Sequence, residues 1–210
     1  MSYLNTAKLL DDVQARIQDQ TVNLRAKLLI FLNEIAQDIA NIPREWEFLK
    51  RTATGDLSGG VIAIPADFGR VVSIRITSGT NNYFFTPDEE LTEEEYFYTT
   101  TNNAETTPVG YMVDMNNITI APSAAGTYIL SYVATVPDYD DSSADTLFPS
   151  EFGNLLKQGT LMKYYEYDKD GRYTASNILY NQEMGLMKHL DNRKKPLPKF
   201  NTRGYVRDRV

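Results

Sequence analysis

The sequence contains no cysteine. That removes a disulfide framework, a thiol nucleophile and a zinc–thiolate site together. It has one histidine, His189, so metal sites built on two or three imidazoles are excluded. Long apolar runs are missing too. The longest uninterrupted stretch of large apolar side chains is Leu28–Leu32, five residues, where a membrane-spanning helix needs about 20. The start, MSYLNTAKLLDDVQ, lacks the apolar core of a secretory signal. No internal repeat, low-complexity tract or phosphate-cradling glycine loop ahead of a helix is visible. What remains is an ordinary globular composition: 210 residues, 42 % hydrophobic and 23 % charged, for one or two soluble domains.

Charge is unevenly distributed. The whole chain carries −7. Its last 18 residues hold seven bases (Arg193, Lys194, Lys195, Lys199, Arg203, Arg207 and Arg209) against one acid, Asp208. The tail is therefore +6 and residues 1–192 are −13. Such a tail suits an acidic partner: nucleic acid, or the acidic surface of a protein, a second copy of this chain included. Pro196, Pro198, Phe200 and Tyr205 spaced among the bases favour an extended docking arm over a solvated spacer.

Periodicity divides the rest. Leu10, Val13 and Ile17 predict a helix over 4–19, with a break or pause at Gln20-Thr21. Leu24, Leu28, Phe31, Ile35 and Ile39 share one face of a second helix over 22–41. Pro43 ends it, and Trp46 is expected to anchor the core where helix meets sheet. Residues 47–136 turn β-like, with strands near 47–54, 60–64, 70–77, 82–86, 109–114, 117–121 and 127–134. In 70–77, Val71, Ser73, Arg75 and Thr77 alternate against Val72, Ile74 and Ile76. Asp56–Gly60 reads as a hairpin loop, and Met115–Ile118 as a tight turn using the tolerance of Asn for positive φ. The acids of 86–96 predict a short helix, and 137–147 an acidic loop. Pro149 opens a helix to about Tyr167. A turn at 168–171 then leads into a last helix to about Asp191, with Ala175, Ile178, Leu179, Met184, Leu186, Met187 and Leu190 as its apolar positions.

The fold class this predicts is α+β. A four-helix bundle core (two N-terminal and two C-terminal helices, 1–46 and 147–192) carries a β-rich insertion domain, 47–146, and an extended basic C-terminal arm, 193–210.

No residue set marks an active site, and no cofactor is implied. His189 sits near a helix C-terminus, where a cation is favourable and exposure ordinary. Glu166, Asp168 and Asp170 before Gly171 have the spacing that opens a calcium loop, but position twelve is Asn177 where a bidentate Glu is needed. An αα turn with Gly171 at positive φ fits better. Asp88, Glu89, Glu90, Glu93, Glu94 and Glu95 form an acidic run without a base. It is either a solvated helix face or an interface patch for a basic neighbour.

Three passages carry a resemblance. The long second helix runs into Pro43-Arg44-Glu45-Trp46-Glu47-Phe48-Leu49. Ile62–Ile64, Pro65-Ala66-Asp67-Phe68 and Gly69–Ile74 read as strand, corner and strand. Phe148-Pro149-Ser150-Glu151-Phe152 precedes Leu155, Gly159, Met162, Tyr164 and Tyr165. In this order they resemble the head-to-tail adaptor (connector) proteins of tailed bacteriophages, of the tail accessory or tail tubular type. The resemblance implies a non-enzymatic virion protein of the head–tail junction, made in the host cytoplasm. It implies a homo-oligomeric ring, usually dodecameric, beneath the portal protein, contacting a downstream nozzle or tail-tube protein, with DNA passing through unbound and no membrane involved. Arg193, Lys194, Lys195, Lys199, Phe200, Arg203, Tyr205, Arg207 and Arg209 occupy the position of the portal-binding arm. The alternative is a tail-associated peptidoglycan hydrolase (muramidase) working through paired carboxylates; a nucleic-acid-binding tail is a third reading.

Overall fold

The computed structural model describes residues 3–17, 23–102, 107–141 and 145–194. Strand β1 (Tyr3–Asn5) precedes helices α1 (Thr6–Ile17) and α2 (Leu24–Ala40). Strands β2 (Lys50–Leu57), β3 (Val61–Ala63), β4 (Phe68–Ser78) and β5 (Asn81–Phe85) follow, then α3 (Glu93–Asn102). Strands β6 (Gly110–Val113), β7 (Asn117–Ala121), β8 (Gly126–Ala134) and β9 (Asp145–Pro149) lead to α4 (Gly153–Tyr167) and α5 (Tyr173–Lys194). Short 3-10 turns stand at Glu47–Leu49, Pro87–Glu89 and Ser150–Phe152.

Two hydrophobic cores organise these elements. In the first, an antiparallel sheet ordered β2-β8-β4-β5 shares its apolar side chains with the smaller sheet β3-β7-β6. Ile62, Ile74, Ile76, Ile118, Ile120 and Leu130 are wholly buried there. The sheets are stitched by the two-residue hairpin at Gly59-Gly60, both at positive φ (63° and 74°), which Ser58 and Val61 close. Only glycine adopts that pair of angles cheaply. The Pro65–Phe68 corner is a turn, with the Phe68 N–H donating to Pro65 O at 3.0 Å. Asp67 then ties the corner to β8, accepting from Tyr132 Oη at 2.8 Å. Burial, with Asp67 second, pushes the Tyr132 phenol up to about 12.

The second core lies under the helices. Leu9, Leu10 and Val13 of α1 meet Leu28, Leu32, Ile35 and Ile39 of α2 and Leu155, Leu156 and Leu161 of α4. Gly159 sets the spacing, since a Cβ there would stand 2.7 Å from Ile35 Cγ2. Trp46 is fully buried and donates Nε1–H to Ile39 O at 2.9 Å. Its ring meets Phe48 and Phe152, and Phe148 completes the cluster. Truncating Trp46, Phe148 or Phe152, the buried rings of the cluster, to Ala is expected to cost about 3–5 kcal/mol.

The four-helix bundle does not form; the architecture is a sheet-rich α+β fold. A bundle needs each helix to aim its apolar stripe at one common axis. Helix α5 lies along α4 and buries Met184 and Met187, but Ile178, Leu179 and Leu186 remain exposed. The remaining side of the core is closed by non-helical groups: Val133 of β8, Val136, the Trp46 cluster, and the β1–β9 ribbon in which Tyr3 pairs with Pro149.

Local expectations are corrected too. Tyr3–Asn5 is a strand, because its partner lies far along the chain. Residues 47–49 form a 3-10 turn, not the start of β2. Pro149 ends β9 instead of opening α4. Strict alternation in β4 fails because two residues, Val71 and Val72, oppose Tyr132 before the register resumes at Ser73. This bulge turns Val71 to the side of Ile74 and Ile76, while Val72 packs against the helical core. The β6–β7 turn uses no left-handed Asn; Asp114 Oδ1 accepts the N–H groups of Asn116 and Asn117, each at 2.8 Å. In the α4–α5 turn the positive φ belongs to Lys169 (53°), not Gly171.

Candidate interaction surfaces

Arg44 and Asp191 pair at the C-terminal end of α5. Asp191, almost fully buried, is the third residue before the last of α5. Its Oδ2 accepts from Arg44 Nη2 at 2.9 Å, and its Oδ1 from the Glu47 backbone N–H at 3.0 Å. Arg44 also donates to Lys188 O at 2.7 Å and Asn192 Oδ1 at 2.9 Å. Its guanidinium carbon stands 4.7 Å from the centre of the Trp46 ring. A planar fork that donates to several oxygens while stacking on an indole is the geometry for which Arg, and not Lys, is suited. The arrangement ties the last turn of α5 to the chain that follows α2.

Arg193 and Lys194 belong to the last turn of α5. Lys195, Lys199, Phe200, Arg203, Tyr205, Arg207 and Arg209 lie outside the described residues, as does the Gln20-Thr21 break.

The acidic run splits into two roles. Glu89 and Glu95 close capping boxes. Glu89 Oε2 accepts from the Thr86 N–H at 2.6 Å and from Thr86 Oγ1. Glu95 Oε2 accepts from the Thr92 N–H at 2.9 Å, and the Glu95 N–H donates back to Thr92 Oγ1 at 3.3 Å. These bonds hold both carboxyls below the ordinary glutamate value. The Thr-x-x-Glu spacing that signals such a box occurs twice in TPDEELTEEE, so the sequence carried this information. Asp88, Glu90, Glu93 and Glu94 are exposed and, among the described residues, have no ion-pair partner. Beside them α3 exposes Phe97 and Tyr98, each about two-thirds accessible (67 % and 66 %). A shallow groove of about 560 Å³ runs between Leu91, Glu94, Tyr98 and Thr99.

The segment is seated on β6. The Leu91 N–H donates to Tyr111 O at 2.7 Å, and Gly110 lets Glu89 O approach, since a Cβ there would meet it at 2.7 Å. Among the described residues, the buried Tyr111 hydroxyl has no hydrogen-bond partner. Burial, and then the carboxylates of Glu90, Glu89 and Asp88, raise its pKa.

Elsewhere several acids are matched by bases. Arg25 bridges Asp11 and Asp141, Lys157 meets Asp12, Lys163 meets Glu34 and Asp38, and Lys50 meets Glu45 and Glu47. His189 is exposed on α5. Of the calcium-like spacing, Asp170 is turned onto Arg172, its Oδ2 accepting from Nη2 at 2.6 Å. No group of three or more metal-ligating side chains comes together among the described residues.

A family model described as SU10 adaptor protein matches residues 4–202. Comparison with curated proteins finds no match. Among solved structures, a chain from "Neck of empty GTA particle computed with C6 symmetry" is 12 % identical. The alignment covers 79 % of this chain and 83 % of that one, with a TM-score of 0.26.

Proposed function

The chain belongs to the SU10 adaptor protein family, and from that premise we propose that it is a structural virion protein of the tailed-phage head–tail junction. In this reading, copies close into a ring beneath the portal through heterologous contacts between identical neighbours. The ring continues the DNA channel and offers the next tail protein a docking surface. The basic arm ties each copy to the portal, with Arg203 and Arg207 suited to bidentate bonds with carboxylates and Phe200 and Tyr205 to pockets. An acidic body of −13 suits a channel that duplex DNA crosses without sticking, because phosphates are repelled. Residues 47–146 then act as the insertion that projects from the helical part.

The observation that carries the reading is the family match across nearly the whole chain, reaching into the arm at residue 202. The role is assembly and not catalysis.

The test is the particle mass of the full chain and of a chain ending at Lys194, each alone and mixed with the cognate portal ring. A stoichiometric ring on the portal with the full chain, and none with the shortened one, is the expected result. Failure of both to bind overturns the assignment. Lysis of peptidoglycan by the purified protein, lost on changing a single carboxylate, would establish the hydrolase instead.

A further inference from the structure

A ring of identical subunits needs two different surfaces of one chain that fit each other. Helix α3 supplies one surface with a specific chemistry. Glu93 and Glu94 are exposed and have no basic partner among the described residues, and Phe97 and Tyr98 stand beside them largely uncovered. Large exposed aromatics next to a groove mark a contact surface more often than a solvated helix face does. No Lys or Arg occurs anywhere from Thr86 to Asn102. The surface therefore selects a ligand that brings both cations and aromatic rings.

One segment of the chain has that composition. Residues 195–210, KPLPKFNTRGYVRDRV, place Lys199, Arg203 and Arg207 at intervals of four, with Phe200 and Tyr205 between them. Sixteen extended residues reach about 50 Å. Their root is fixed on the helical side by the Arg44–Asp191 clamp, whereas α3 sits against β6 and β7 of the sheet core. Arm root and α3 thus belong to different hydrophobic cores, and in the ring reading the complementary charges pair the segment of one copy with the α3 face of the next.

We infer that the α3 face of one copy receives the basic, aromatic C-terminal segment of a second copy. Guanidinium groups of the arm bond to Glu93 and Glu94, and Phe200 or Tyr205 covers Phe97 and Tyr98. Arg is the suitable cation, because it bonds to carboxylate and stacks on an aromatic ring in one pose. The contact deepens the ring reading, and it holds the arm before a portal is met.

The test is photo-cross-linking in the full chain. A photoreactive phenylalanine replaces Phe200, and light and heavy isotope-labelled chains are mixed. Cross-links from position 200 to residues 91–99 that join a light to a heavy chain are expected. Glu93→Lys with Glu94→Lys should cut their yield at least tenfold, and Arg203→Glu with Arg207→Glu in the mixing partner should restore it. The four positions are exposed or in the arm, and an unchanged melting temperature confirms the fold. Cross-links confined to one chain, cross-links to other surfaces, or indifference to the charge reversal each overturn the inference. Portal binding by the same variants is measured separately. A chain that rings the portal but shows no copy-to-copy cross-link defeats this contact alone, while one that cross-links between copies but ignores the portal defeats the adaptor role alone.

Discussion

Arg44 Nη2 stands 2.9 Å from Asp191 Oδ2, across 147 residues of sequence. The pair joins the exit of α2 to the last turn of α5, and the Glu47 N–H occupies the other carboxylate oxygen. Both side chains are shielded, with 16 % and 3 % of their surface accessible. One interaction therefore closes the helical core and fixes the last turn of α5.

Asp191→Ala leaves Arg44 inside with its charge unmatched, and the Glu47 N–H without an acceptor. Removing one member of a buried pair typically costs about 3–5 kcal/mol. We expect a loss in that range by urea denaturation. Arg44→Met combined with Asp191→Leu should recover much of it, since apolar replacement of both partners is often neutral. A double variant no better than the single one would show that Asp191 acts through the Glu47 N–H alone.

The clamp also shows how far the sequence could be read. Trp46 is a buried anchor between α2 and the sheet, as its position past a long amphipathic helix suggested. Most helices and strands followed from local periodicity, a property of neighbouring residues, but β9 (Asp145–Pro149) stands where an acidic loop over 137–147 was expected. What was not legible is set by remote partners. Arg44 gives no sign of Asp191, and Tyr3–Asn5 becomes a strand only because Asp145–Pro149 lies beside it. The bulge at Val71–Val72 inverts a face that alternation alone assigns wrongly. The bundle failed for the same reason. Ile178, Leu179 and Leu186 count as core in a helical pattern, yet none of the described elements covers them. The two Thr-x-x-Glu boxes are different: they were written in adjacent residues and needed only the capping spacing to be seen.

Lys169 holds φ at 53° in the α4–α5 turn, where a β-carbon is disfavoured. Its side chain is exposed. Lys169→Gly should therefore stabilise the fold by up to about 1 kcal/mol, offset in part by the greater freedom of glycine in the unfolded chain. A higher urea midpoint with an unchanged slope checks this. A lower midpoint would mean that the lysine makes a contact worth more than its backbone costs.

Arg25 joins α2 to the loop after β8 through Asp141 and to α1 through Asp11. The hydrogen bond to Arg25 holds the Asp141 carboxyl below its ordinary value of 3.8. A depressed carboxyl contributes stability that is complete above the unfolded value and is lost as pH falls through the folded one. Arg25→Gln should thus lower stability at neutral pH, by at most about 1 kcal/mol because the partners are partly exposed. The difference from the unchanged protein should vanish well below pH 3.8 and shrink in high salt. Urea midpoints across that range, for both proteins, decide it; a gap that persists in acid would assign the loss to packing of the Arg25 stem.

Thr92 and Glu95 start α3, and their reciprocal bonds serve two N–H groups at that end of the helix. The helix carries Glu93, Glu94, Phe97 and Tyr98 on its exposed side, so its order and its surface chemistry can be separated by mutation. Thr92→Ala removes the hydroxyl and leaves every acid in place. Amide exchange within Glu93–Asn102 should speed up severalfold, while the amides of β8 stay unchanged. Glu95→Gln keeps a side chain that can still accept from Thr92, so it should have a smaller effect at neutral pH. Acid should mimic Thr92→Ala. The Glu95 carboxyl is held below 4.5 by the Thr92 N–H and hydroxyl, so its cap is intact above that value and is lost as pH falls through the folded pKa. If Thr92→Ala frays α3 and also lowers the copy-to-copy cross-link, the helix must be preformed to receive the arm. If α3 frays and the cross-link persists, the helix need not be preformed to receive the arm.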